Sequence, residues 1–241
     1  MTAPTAESAK GATAPLPPGG TLRVAIIGNP NTGKTTLFNA LTGLRQRVGN
    51  FAGVTVERVE GAFKGPDGQR VAVLDLPGSY SLSAGSPDEQ IALDVLLQRD
   101  ADRWRPDVVL VVIDASHLER NLFLASQVTE AGVPLVIALS LADVSDRKGI
   151  VIDTEALANR LGCAVIRVAP PRGEGLDALK AAILDAPGRG KPPALPLEHS
   201  ADDGSRSPAA RDAIARYRAI DTILEGVVSR RPAKPLPEDR I

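Results

Sequence analysis

The chain has 241 residues, a formal net charge of −1, and 43% hydrophobic but only 3% aromatic residues, so Ala, Val and Leu must build its core. That length suits one domain of ordinary size plus an appendage, and the charge excludes an electrostatic case for nucleic acid or anionic lipid as the main partner. A single cysteine, Cys163, excludes a disulfide framework, and no apolar run approaches the roughly 18 residues of a membrane span, so the chain reads as a soluble cytosolic piece.

Residues 1–20, rich in Ala, Pro, Thr and Gly, read as a disordered tail. Leu22 to Ile27 is an apolar run that predicts a buried strand. Gly28-Asn29-Pro30-Asn31-Thr32-Gly33-Lys34-Thr35 follows and fits G-x-x-x-x-G-K-[ST], with Leu37, Phe38 and Leu41 at helical spacing behind it. In that strand–loop–helix context the glycines let backbone N–H groups turn towards phosphate oxygens, and the helix N-terminus adds its dipole. Lys34 is placed to reach the β- and γ-phosphates and the Thr35 hydroxyl to sit on Mg²⁺; Thr36 continues the loop into the helix.

Arg45 to Thr55 shows no periodicity, carries Gly49 and Gly53, and reads as a loop. Val54, Val56 and Val59, then Val71 to Leu74, predict two antiparallel strands joined by a turn at Lys64–Gly68. Ser86-Pro87-Asp88-Glu89 is a helix start with its capping serine, proline and glutamate, leading to Ile91, Leu93, Val95 and Leu96. Strands at Val108–Ile113, Val133–Leu139 and Ala164–Val168 alternate with helices marked by Leu118–Val128, Thr154–Leu161 and Leu176–Ile183. The alternation over residues 21–186 predicts an α/β fold, a mostly parallel sheet with one antiparallel strand, flanked by helices. Residues 187–206 read as a Pro- and Gly-rich linker, 207–230 as a last amphipathic helix capped by Ser207, and 231–241 as an open tail.

The order of elements after the phosphate loop separates the nucleotide-hydrolysing classes. Thr55, preceded by Gly53 and Val54, lies in the loop before the antiparallel strand; Asp75-Leu76-Pro77-Gly78 closes the next one. A threonine hydroxyl there can complete a Mg²⁺ shell when the γ-phosphate is present, Asp75 can hold the ion through water, and the Gly78 N–H can bond the γ-phosphate. Hydrolysis would break those contacts and release both loops, which makes the pair a switch. Taken singly, each would read as a solvated loop residue or a strand-end turn.

Gly28 to Gly43, Val48-Gly-Asn-Phe-Ala-Gly-Val-Thr55, Asp75-Leu-Pro-Gly-Ser-Tyr-Ser-Leu82 and Asp114-Ala-Ser-His-Leu-Glu-Arg-Asn-Leu122 together resemble one family. It is the cytosolic N-terminal G domain of bacterial ferrous iron transport protein B. The resemblance covers residues 22–186 and implies a P-loop GTPase with a helical subdomain, attached to a membrane permease domain downstream and held at the cytoplasmic face of the inner membrane. It implies Mg²⁺, and a K⁺ ion near the phosphates with Asn31 as ligand, standing in for the water-orienting glutamine that Ser79 replaces. A monovalent cation there would neutralise charge developing between the phosphates; Asn31 as a mere brace of the loop is the alternative. Small accessory iron-transport proteins and self-association are compatible with the resemblance; nucleic acid is not called for.

Two departures stand out. Ser140-Leu141-Ala142-Asp143 occupies the place of the family's Asn-x-x-Asp: Asp143 can still accept from guanine N1–H and N2–H₂, but a shorter serine replaces the asparagine that buttresses the loop. The next base motif, usually Ser-Ala, aligns to Ala169-Pro170, followed by Pro171, and proline has no N–H for guanine O6. A guanine O6 left without its donor costs on the order of 1–3 kcal/mol, so relaxed discrimination between GTP and ATP is expected. After residue 186 only the first and last helices of the helical subdomain are legible, which predicts a reduced appendage. The competing readings are a soluble RNA- or ribosome-associated GTPase, which would want a basic appendage that the sequence lacks, and a nucleotide-binding module with little turnover.

Overall fold

The computed structural model describes residues 21–97, 104–199 and 206–231. The tail expected over residues 1–20 and most of that over 231–241 lie outside the described residues. Among the described residues nine strands and seven α-helices follow one another: β1 Leu22–Gly28, α1 Lys34–Thr42, β2 Gln46–Asn50, β3 Glu57–Lys64, β4 Arg70–Asp75, α2 Pro87–Leu96, β5 Val108–Asp114, α3 Leu118–Glu130, β6 Leu135–Ser140, α4 Ala142–Arg147, β7 Ile150–Ile152, α5 Thr154–Leu161, β8 Ala164–Arg167, α6 Leu176–Arg189, α7 Pro208–Leu224 and β9 Val228–Arg230.

Seven strands form one sheet in the order β2-β3-β4-β1-β5-β6-β8, and β3 runs against both of its neighbours while every other pairing is parallel. The period of two decides the layers. Val109, Val111 and Ile113 of β5 pack with α2, α3, α5 and α7, whereas Val108, Leu110 and Val112 pack with α1 and α6 on the other face. Both faces of the central strands are buried, so these strands are near-continuous Val, Ile and Leu runs. The parallel strands β1, β4, β5 and β6 end at one edge, and there the loops that carry the chemistry converge.

The expected antiparallel pair is β3 and β4, though its first strand opens at Glu57, so Val54 and Val56 precede it. The stretch read as a loop from Arg45 is in part a strand. All five residues of β2 are exposed and its ladder to β3 holds it, so neither face leaves a hydrophobic alternation to read. Helix α4 has six residues, too few for periodicity. Strands β7 and β9 pair across the chain from Ile150–Ile152 to Val228–Arg230, a contact with no local signal.

The expected boundary at Pro187 is also corrected: α6 runs through it to Arg189 and stops at Gly190, φ 76°. Proline removes one N–H from the last turn, but Ile183 and Ala186, both buried, hold that turn on the sheet. Beyond Gly190 the chain is pinned, since Pro193 packs onto Gly162, where a Cβ would meet its Cδ at 2.6 Å. The last helix ends at Leu224 rather than running to 230, and it is no separate appendage. Ile220, Ile223 and Val227 belong to the main core, Phe123 and Tyr217 rings lie 5.1 Å apart, and Arg216 bonds Glu130 at 2.6 Å and Ser126 at 3.3 Å on α3. None of the described helices is long and apolar enough to cross a membrane.

Candidate functional site

The phosphate loop joins β1 to α1 and is built by close approach. A Cβ on Gly28 would stand 2.6 Å from the Val112 carbonyl oxygen, so only glycine lets β1 lie this near β5 at its end. Gly33, φ 80°, caps α1 without a side-chain acceptor, and the first turn of the helix carries no acid. The first-turn N–H groups are therefore left for an anion. Within the loop the Thr32 hydroxyl donates to the Asn29 carbonyl at 2.9 Å, and Asn31 is exposed with φ 66°. Thr35 and Thr36 are exposed on the mouth of α1.

The Asp75–Gly78 segment docks against this loop. Leu76 N–H donates to the Ile26 carbonyl at 2.9 Å, Ser79 N–H to the Gly28 carbonyl at 3.2 Å, and a Cβ on Gly78 would touch Pro30 at 3.4 Å. Across the junction Lys34 Nζ donates to Asp75 Oδ1 at 2.5 Å, with both side chains about nine-tenths buried. Burial pushes the Asp75 carboxyl above its ordinary range even though the Lys34 ammonium pulls it down, and Glu57 adds to the rise. The loop following Gly78 is tied to two helices: Ser81 donates to Glu89 at 2.9 Å, Leu82 N–H to Gln127 at 2.9 Å, and the Arg120 guanidinium lies 4.3 Å from the Tyr80 ring centre. These contacts give a physical reason for Tyr80, Ser81, Leu82 and Arg120 to occur together.

Gly53, Val54 and Thr55 are placed differently. They are exposed and line a groove with Phe51, Pro87 and Asp88.

At the base end, Ser140 is 2% exposed and its hydroxyl lies 2.6 Å from the Thr32 carbonyl and 2.9 Å from that of Ile113. The serine thus reaches the phosphate loop despite its length, so the loop is buttressed without the family's asparagine. Leu141, φ 52°, turns the chain into α4, where Ala142 is buried and the half-exposed Asp143 accepts from Arg147 at 3.3 Å. Arg167 bonds the Ala142 carbonyl at 3.3 Å and also bonds Asp146, which fixes α4 against β8. Ala169 spends its N–H on the Glu174 carbonyl at 3.0 Å, and Pro170 and Pro171 have none. No N–H of residues 169–171 is left to give.

The sequence reading did not assign a role to the Asp114–Asn121 motif, which is a capping network. Asp114 accepts from Ser116 N–H at 2.7 Å and meets His117 Nδ1 at 2.8 Å, while Asn121 bonds both Asp114 N–H and the His117 carbonyl. Burial raises the Asp114 carboxyl, but these hydrogen bonds outweigh it and hold the group below its ordinary range. Asp114 lies in register with Ser140 on the next strand, so the network stiffens the floor between the two ends of the site.

The donors suit a hard cation. A hydroxyl, Thr35, and a carboxylate, Asp75, supply oxygen ligands of the kind Mg²⁺ takes beside substrate phosphates, and the exposed amide oxygen of Asn31 suits K⁺.

A chain with this phosphate loop and docked acidic turn is similar to known proteins. A family profile described as ferrous iron transport protein B matches residues 22–183. The chain belongs to that family. The Fe(2+) transporter FeoB of Salmonella typhimurium is 52% identical over 166 residues, which is 67% of this chain but 21% of that protein. The chain thus spans about a fifth of the length of this relative. The cytosolic domain of L. pneumophila FeoB superposes with a TM-score of 0.77 at 35% identity, covering 86% of this chain and all of that one. The cytosolic domain of the T. maritima FeoB iron transporter in its GMPPNP form gives a TM-score of 0.76 at 28% identity, covering 87% of this chain and all of that one. The fold is that of the family's P-loop G domain, with α7 and β9 packed onto it.

Proposed function

We propose that the chain is a nucleotide-binding and hydrolysing switch domain, a GTPase with relaxed selectivity between GTP and ATP, that regulates ferrous iron transport from the cytoplasmic face of the bacterial inner membrane. The observation that carries this reading is the Lys34–Asp75 pair, because it joins the phosphate loop to the acidic turn, the two segments that would both meet a γ-phosphate in this reading. The family match supports the iron role and attachment to a membrane permease domain; accessory iron-transport proteins and self-association are further partners of this reading.

In the mechanism, loop N–H groups and the α1 N-terminus hold the β-phosphate, and Lys34 leaves Asp75 for the β- and γ-phosphates. Thr35, Thr55 and, through water, Asp75 would hold Mg²⁺, and Asn31 would hold K⁺; such cations neutralise negative charge developing on the phosphates. The Gly78 N–H bonds the γ-phosphate, and its loss on hydrolysis releases Leu76–Ser79. Asp143 accepts from the guanine edge. With no N–H from Ala169, Pro170 or Pro171 for O6, GTP loses part of its advantage over ATP.

The test is phosphate release from the purified chain with GTP and with ATP, each in KCl and in NaCl. Comparable turnover of both nucleotides with stimulation by KCl is expected. Strict use of GTP would overturn the relaxed selectivity, equal rates in both salts would overturn the role of Asn31, and no release would favour a binding module with little turnover.

A further inference from the structure

Asn29 is the first residue of the phosphate loop after β1, is 3% exposed, and neither its amide nitrogen nor its amide oxygen has a hydrogen-bond partner. Its counterpart in the core behaves otherwise. Asn121, 4% exposed, accepts from Asp114 N–H at 3.3 Å and donates to the His117 carbonyl at 2.8 Å. A buried amide with both ends unmatched is rare and destabilising, so its retention calls for a partner that appears in another arrangement.

Asn29 has little freedom to turn towards water. Its own carbonyl accepts from the Thr32 hydroxyl, and the neighbouring Gly28 carbonyl accepts from Ser79 N–H. The Leu76–Ser79 segment touches the loop at Gly28 and, through Gly78, at Pro30, on either side of Asn29. Beyond Leu76 this segment belongs to no strand or helix, so its backbone groups are able to re-pair when it moves.

We propose that Asn29 is a positioning residue of the switch. In the present arrangement, with Lys34 bonded to Asp75, its amide is unmatched; when the γ-phosphate of a nucleoside triphosphate takes the Gly78 N–H, the shifted Leu76–Ser79 segment supplies the missing hydrogen bonds. The orphan amide thereby favours the triphosphate-bound form over the diphosphate-bound form. This inference rests on the nucleotide-switch reading above.

The experiment measures the affinities of GMPPNP and GDP, with Mg²⁺, and the melting temperature without nucleotide, for the native chain, Asn29→Ala and Asn29→Ser. For Asn29→Ala the ratio of GMPPNP to GDP affinity falls about tenfold, within the usual range of coupling between sites, and the melting temperature rises by roughly 2–4 °C because an unmatched buried group is gone. Asn29→Ser, with one hydroxyl, falls between the two. An affinity ratio within twofold of the native value in both variants overturns the proposal, whatever the melting temperature does, since a simple brace would change stability and leave that ratio alone. If the native chain binds neither nucleotide, the switch reading itself falls and this inference with it.

Discussion

The phosphate end and the base end of the site lie on the same sheet edge and are built to different standards. At the phosphate end the loop is cross-bonded to its neighbours: Gly28 against β5, Lys34 on Asp75, and Ser79 on Gly28. At the base end the support is present and a donor is missing. Ser140 still braces the Thr32 carbonyl, and Arg167 fixes α4, yet residues 169–171 offer no free N–H. Bracing a loop and reading a base are thus separable tasks. A short hydroxyl suffices for the first because the strand ends already stand close together.

Lys34 carries the largest expected effect. Lys34→Ala is expected to slow phosphate release by about 10²–10³-fold with either nucleotide, because a preorganised charge at the phosphates is lost; a slowing with GTP alone would undo the separation of the two ends. Asp143→Ala is expected to weaken GTP about tenfold in a binding titration while leaving ATP within a factor of two, the worth of one charge-assisted hydrogen bond to the base. Pro170→Ala restores an N–H, and the ratio of GTP to ATP affinity should rise several-fold, up to about tenfold. Ser140→Ala should lower the melting temperature by about 2–4 °C, for roughly 1 kcal/mol, and weaken both nucleotides equally. An effect on GTP alone would mean that the serine reads the base.

The smallest effect is one of pH. The Asp75 carboxyl is raised above its ordinary 3.8 by burial. Between 3.8 and that raised value the folded chain holds a proton that the unfolded chain has released, so this group's contribution to stability is full below 3.8 and declines as pH rises through the window. The melting temperature of Asp75→Asn should therefore lack the fall with rising pH that this group gives the native chain.

Much of this molecule was legible from local signals. The phosphate loop, the acidic turn, the Ser86 cap, which accepts from Glu89 N–H at 3.2 Å, and α5 at Thr154–Leu161 each carry their own physical cause in a few consecutive residues. The α/β alternation fixed the fold class because parallel strands buried on both faces need apolar runs and crossover helices. Where no local cause exists the sequence was silent: β2 has no buried face, and β7 finds β9 only through the packing of α7. Pro187 read as a break, because its missing N–H is a local fact, whereas the burial of Ile183 and Ala186 that overrides it is not.

Residue type and spacing along the chain therefore suffice to read a phosphate loop at residues 28–35 and a missing N–H at Pro170. That α7 belongs to the main core, that Ser140 reaches Thr32, and that Asn29 is buried without a partner are visible in three dimensions alone. Each of those depends on distances between segments far apart in the chain, and no pattern along the chain encodes such distances.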